Sequence, residues 1–217
     1  MQYVDLTIEL PRSMQHPMER FLRTEGAVDR EELITWNLTP EGAEYALFRV
    51  EGDISQYRAR IGEVESVVEY TLTAVDDGSF YAYVCQETRQ ADEQLRAAFA
   101  RRNLVVVPPI SYDDRGMHLT VVGAGSDLTA MVEDVPEPIA VTVESVGDYD
   151  RYHGTPVADL TERQLEAVKA AVERGYYAVP REAPLETVAD ALGCAPSTAS
   201  TLLRKAEQAV LTRLIAA

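Results

Sequence analysis

Residues Tyr3 to Leu10 alternate: Val4, Leu6, Ile8 and Leu10 fall on one side, Tyr3, Asp5, Thr7 and Glu9 on the other. This is the signature of a half-buried strand. Similar short runs predict strands over Leu33–Leu38, Tyr45–Glu51, Ser66–Val75, Phe80–Gln86, Leu104–Ser111, Met117–Val122 and Ile139–Val146. The Asp77-Gly78 pair joins two of them as a hairpin. Helical spacing appears over Ile54–Ile61, Ala91–Arg102 and Leu128–Val132, the last entered through a cap at Ser126 or Asp127. The order from Tyr45 to Ser111 is therefore strand, helix, strand, strand, helix, strand, which is the ferredoxin-like order also used by ACT-like ligand-binding modules. The segments "FRVEGDISQYRARIGEVESVVEYTL" and "LTVVGAGSDLTAMVEDVPEPIAVTV" echo one another in strand, helix and strand. They allow either one such unit or two, the second built from residues 1–38 and 116–146.

The pattern changes after residue 155. Leu160-Thr161-Glu162-Arg163-Gln164-Leu165 is a helix start, with Thr161 and Gln164 spaced for a capping box and Leu160 for a staple to Leu165. Leu165, Val168 and Val172 recur at helical spacing up to Gly175, a stop signal. Pro184 is placed at the first position of a second helix, with Val188, Ala189 and Leu192 inward. Gly193 fits a turn that needs a left-handed backbone, Cys194 follows as a small buried residue, and Pro196 opens a third helix with Ala199, Leu202 and Leu203 inward. A small residue, a glycine and a spaced apolar pair within about twenty positions make a helix-turn-helix pattern. The expected architecture is α+β: an N-terminal ferredoxin-like or ACT-like module over 1–155, then an all-α helix-turn-helix domain over 156–217.

Charge sharpens that division. The chain of 217 residues carries a formal net charge of −16, and all of it sits in residues 1–160, which hold 29 acids and 13 arginines. Residues 161–217 balance seven acids with seven bases. Only Lys169 and Lys205 are lysines. An acidic, lysine-poor surface is expected of a protein that stays dispersed in molar salt. The two cysteines, Cys85 and Cys194, form no CxxC pair and suit a reducing cytoplasm. No apolar run approaches the roughly 20 residues that span a bilayer, and the alternating, acidic N-terminus does not resemble a signal peptide.

Candidate chemistry is sparse in the acidic part. His16, His118 and His153 stand at no metal-ligand spacing. No GxSxG, P-loop or complete GxGxxG occurs, and Asp76, Asp77, Asp113 and Asp114 are turn acids. Neither an enzyme, a cofactor nor a metal is indicated. The third helix of the C-terminal part is different. With Ala199, Leu202 and Leu203 packed inward, Ser197, Thr198, Ser200, Thr201, Arg204 and Lys205 face outward. Hydroxyls and cations so arranged suit phosphate and base-edge contacts in a major groove. Residues of about 196–213 are thus the expected recognition helix for double-stranded DNA. The competing reading is an interaction protein whose C-terminal helices bind another regulator or the transcription machinery.

The C-terminal stretch also resembles a family. Leu160-Thr161-Glu162-Arg163-Gln164, Gly175-Tyr176-Tyr177 with Val179-Pro180-Arg181, and Leu203-Arg204-Lys205-Ala206-Glu207 are similar to the helix-turn-helix domain of the haloarchaeal bacterio-opsin activator (Bat-like) regulators. The resemblance covers about a quarter of the chain and implies an archaeal, halophilic transcription regulator. Such a regulator is expected to act as a homodimer, with residues 1–150 sensing a small-molecule or protein effector or mediating assembly. Ala199 and Ser200 stand where many relatives carry Val or Ile and a larger polar residue, so the operator read by those relatives does not transfer.

Overall fold

The structure, a computed structural model, describes the chain except residues 41, 136, 150–154, 156 and 217. Two compact units emerge, Met1–Tyr149 and Asp150–Ala217.

Unit 1 contains strands β1 (Gln2–Glu9), β2 (Val28–Leu38), β3 (Ala43–Gly52), β4 (Val67–Ala74), β5 (Ser79–Glu87), β6 (Val105–Tyr112), β7 (Met117–Gly123) and β8 (Ala140–Asp148). Its helices are α1 (Pro17–Glu25), α2 (Ile54–Ile61), α3 (Gln90–Ala100) and α4 (Gly125–Glu133). The strands form one sheet in the order β4-β5-β3-β2-β6-β7-β1-β8, and every pairing is antiparallel.

The alternation in β1 places Val4, Leu6 and Ile8 in the core, each no more than 4% exposed. On the opposite face the carboxylate of Asp5 accepts from Thr120 and Ser145, both at 2.6 Å, and the Thr7 hydroxyl donates to Glu144 at 2.8 Å. Asp5 and Thr7 thus have cross-strand partners, which helps a two-faced strand hold its register. Phe80, Ala82 and Val84 of β5 turn inward in the same way, leaving Tyr81 and Tyr83 outside.

The echoed segments are structurally equivalent. β3 and β4 are joined through α2 and both pair with β5, while β7 and β8 are joined through α4 and both pair with β1. β1 therefore does join residues 116–146, whereas β2, also within residues 1–38, pairs with β3 and β6 instead. The unit expected over Tyr45–Ser111 is nevertheless not closed. β6 does not pair with β3; it lies between β2 and β7. The reason is local: at the short turn between β2 and β3, Thr39 N donates to Ala43 O at 2.8 Å and Ala43 N to the Thr39 hydroxyl at 3.1 Å. The hairpin so formed gives β2 the edge of β3 that β6 would have occupied. β6 instead pairs with β2 over Glu31–Leu33 and with β7, the β7 ladder lapsing between Val107 and Ser111. Pro108 and Pro109 lie in that lapse and lack the N–H a ladder needs.

Two further expectations are corrected. Helix α4 starts at Gly125, and its N-cap is Ala124, not Ser126 or Asp127; the Ala124 carbonyl accepts from Asp127 and Leu128. Helix α1 was not foreseen. Pro17 occupies its first turn, the His16 ring Nδ1 accepts from Met18 N at 3.2 Å, and Met18, Phe21 and Leu22 enter the core. Histidine is an uncommon cap and the apolar run is short, so the periodic signal was weak.

Candidate nucleic-acid interface

Unit 2 is built from α5 (Glu162–Glu173), α6 (Leu185–Leu192) and α7 (Pro196–Ala216). The capping box at the start of α5 is complete: Gln164 N donates to the Thr161 hydroxyl at 3.3 Å and Thr161 N to the Gln164 side chain at 2.9 Å. The helix stops at Gly175, whose φ is +75°. The inward face differs from the expected one. Val172 is 62% exposed, while Ala167 and Ala171 are fully buried. Ala189, Ala199 and Ala206 are equally buried, so all three helices meet through small side chains, with Val188 and Leu203 filling the centre. Short side chains let helix axes approach closely, which fixes their crossing through the backbone surfaces themselves.

The turn between α6 and α7 carries the geometry. Gly193 ends α6 at φ +61° and ψ +39°, and Cys194 N donates back to Ala189 O at 3.0 Å. A side chain at Gly193 would meet nothing within 4 Å, so the requirement there is conformational, not spatial. Arg163 of α5 holds the same end, donating to the Leu192 carbonyl at 2.6 Å while its other nitrogen meets Glu166 at 2.8 Å. Pro184 is the N-cap of α6, one position before the expected place, and Cys194 is half-buried, not buried. Pro196 does open α7.

On α7, Ser197, Thr198, Thr201, Arg204 and Lys205 are exposed and Ser200 is half-buried. Ser197, Thr201 and Arg204 lie at spacings of four and seven, so they share one side of the helix. The Thr201 hydroxyl donates to the Ser197 carbonyl at 2.9 Å, which leaves its oxygen and methyl group to face a partner. Arg204 and Lys205 have no ion-pair or hydrogen-bond partner among the described residues, whereas Arg213 is tied to Asp159 at 2.6 Å. The first turn of α7 holds no acid, so the positive end of its dipole is uncancelled.

Two contacts escaped sequence reasoning. The Tyr177 hydroxyl donates to Glu207 at 2.5 Å, tying the α5–α6 connector to α7. Burial, then the Glu207 carboxylate, push the Tyr177 hydroxyl pKa upward, so it remains a donor. The Arg181 guanidinium stacks 4.2 Å from the Tyr176 ring. The Gly-Tyr-Tyr and Val-Pro-Arg signatures thus fold onto one another and brace α7. Their joint spacing was visible in the sequence, but their pairing depends on the connector's path.

Residues 160–212 match the family described as HTH DNA binding domain, and residues 16–149 match the N-terminal family HVO_0513_N. Two curated relatives carry the name dimethyl sulfoxide reductase transcriptional activator. The one from Halobacterium salinarum is 34% identical over 94 residues, 40% of this chain and 42% of that protein. The one from Haloferax volcanii is 28% identical over 160 residues, 69% of this chain and 74% of that protein. The chain thus spans less than half the length of the first relative and about three quarters of the second. These matches bear out the resemblance to the Bat-like haloarchaeal regulators, and unit 2 is a helix-turn-helix DNA-binding domain.

Proposed function

Since the chain belongs to the HVO_0513_N family, whose match takes in more than half its length, we propose that it is a cytoplasmic, sequence-specific transcription regulator. Helix α7 docks in the major groove of double-stranded DNA. Ser197, Thr198, Ser200 and Thr201 meet phosphates and base edges, and Arg204 and Lys205 meet phosphates. The observation that carries this reading is the adjacent pair Arg204 and Lys205, exposed midway along α7 and unpaired among the described residues. In a chain this acidic, two cations left without acidic partners are poised for an external anion. The protein acts as a homodimer, for which the apolar stripe Leu211, Leu214 and Ile215, each more than half exposed at the end of α7, offers a pairing surface. Unit 1 senses the effector. The names of the relatives make the promoter of a dimethyl sulfoxide reductase operon the first fragment to try.

The test is genome-wide mapping of bound DNA, followed by mobility shifts of the recovered fragments in molar KCl. A recurrent sequence motif that shifts saturably supports the reading; random fragments bound equally well oppose it. The alternative, a helix-turn-helix unit used only to bind protein, predicts no DNA shift at any salt concentration.

A further inference from the structure

Unit 1 encloses a cavity of about 140 Å³ between its sheet and helices α1, α2 and α3. Protein interiors are close-packed and hold few voids larger than a water molecule, so a space of this size in a small unit calls for a reason. Its polar lining is unbalanced. Arg96 donates to Glu44 at 2.6 Å, and Arg89 holds Asp92 through two bonds of 2.8 and 2.6 Å. Those four charges cancel. Glu19 and Glu31 remain.

Glu19 is only 4% exposed, and its Oε1 makes no hydrogen bond. The nearest cation, Arg23, stands 3.9 Å away. Glu31 is 5% exposed and accepts one bond, from the Tyr57 hydroxyl at 2.5 Å. The remaining wall is apolar and aromatic, with Trp36, Phe48 and Tyr112 prominent. A buried carboxylate matched only by a cation at 3.9 Å, or by a single hydroxyl, is costly. What would satisfy both acids is a positive charge on a small apolar body.

We propose that this cavity binds a small organic cation, a protonated amine or methylated ammonium with an apolar group no larger than a benzene ring, held by Glu19 and Glu31 against Trp36 and Phe48. The size fits, since an apolar cavity of about 150 Å³ accepts benzene. Aromatic walls favour an ammonium through its attraction to ring faces. Burial raises the carboxyl pKa of both acids, that of Glu31 to about 7. A bound cation pulls these values back down, so affinity rises as pH passes upward through neutrality. The groups facing Glu31 are Tyr57 from α2, Glu19 from α1 and Tyr112 from β6; behind them stand the Arg89–Asp92 and Arg96–Glu44 pairs. His16, held near 4 by burial and by Arg89, stays neutral throughout that range. The inference deepens the sensory role proposed above and rests on it for its meaning, but binding itself is read without DNA.

Trp36 is the sole tryptophan and lines the cavity, so its emission reports occupancy. The full chain in molar KCl is titrated with tetramethylammonium and benzylammonium, and in parallel with benzyl alcohol and benzoate as neutral and anionic counterparts. The expected result is a saturable change in emission with a cation, tighter above neutrality than below, and no comparable response to benzoate. Glu19→Gln with Glu31→Gln weakens cation binding at least about tenfold and spares any response to benzyl alcohol. Should the double variant not fold, Glu19→Gln alone carries the test, because its Oε1 makes no hydrogen bond to lose. Equal binding of the neutral or anionic probe, no saturable response to either cation, or variants that bind cations as well as the native chain would overturn the proposal. Failure here leaves the DNA-binding reading standing, and failure of that reading leaves this one.

Discussion

The two units use arginine in opposite ways. In unit 1 most arginines are spent at home: Arg23, Arg30, Arg49, Arg60, Arg89, Arg96, Arg102 and Arg115 all lie in ion pairs with that unit's acids. In unit 2, Arg163 and Arg213 brace the helices, while Arg204 and the neighbouring Lys205 stand unpaired among the described residues. A cation already matched to a carboxylate offers little to a phosphate, whereas an unmatched one on a helix surface offers most of its charge. Net charge therefore misleads about function. A chain of net −16 can still present DNA with two neighbouring unmatched cations on one helix. In molar salt the counterion-release gain of phosphate contacts is small in any case, so a locally neutral domain with two placed cations gives up little.

The largest expected effect follows from the same contrast. At low ionic strength the screening length grows from about 3 Å at 1 M to about 10 Å at 0.1 M, and the acids of unit 1 begin to repel across the sheet. Hydrogen–deuterium exchange on the full chain across a KCl series should show β1 to β8 loosening below a few tenths molar, while α5 to α7 stay protected. Uniform protection in both units at low salt would remove the halophilic interpretation of the composition.

Next comes Gly193→Val. A β-branched residue at φ +61° costs about 2–3 kcal/mol even with open space around it. The variant should lose the cooperative melt of unit 2 and leave that of unit 1 unchanged. Gly193→Ala, without the branch, should lose less, and the gap between the two variants measures how strictly the turn holds its conformation.

Glu31 gives a pH test of comparable size. Burial raises its pKa from 4.5 to about 7 in the folded chain, so the folded state holds a proton that the unfolded state has released. Its contribution is fully present below about pH 4.5 and is lost as pH rises through about 7. His16 acts in the opposite sense, since its pKa is lowered to about 4, and it costs stability as pH falls below its ordinary value. Glu31→Gln should isolate the first effect. Relative to the native chain the variant should gain stability on going from mildly acid to mildly alkaline pH, by up to about 3 kcal/mol. A difference between the two chains that does not change with pH would mean that Glu31 is hydrated and ionised.

Much of this is legible in the sequence itself. Alternation located every strand of unit 1 because one face is buried and the other wet, so the period-two signal in β1 and β5 is clean. The capping box at Thr161 and the left-handed Gly193 were visible because each depends on residues close in sequence. What escaped was decided at longer range. The place of β6 turned on which strand claimed the edge of β3, and the inward face of α5 turned on Ala167 and Ala171, whose small side chains give weak hydrophobic signals beside Val172. The burial of Glu19 and Glu31 was invisible too, since nothing in a sequence distinguishes an acid under three helices from one in water.

The central claim is that α7 contacts DNA through its unpaired cations. It is met most directly by measuring the DNA affinity of Arg204→Ala with Lys205→Ala against the native chain, over a range of KCl concentrations. Both side chains are exposed and unpaired among the described residues, so the melting temperature should not move appreciably. Affinity should fall at least about tenfold, about 1.4 kcal/mol, with a shallower dependence on salt. A folded double variant that binds the same fragments with native affinity and native salt dependence would contradict the account.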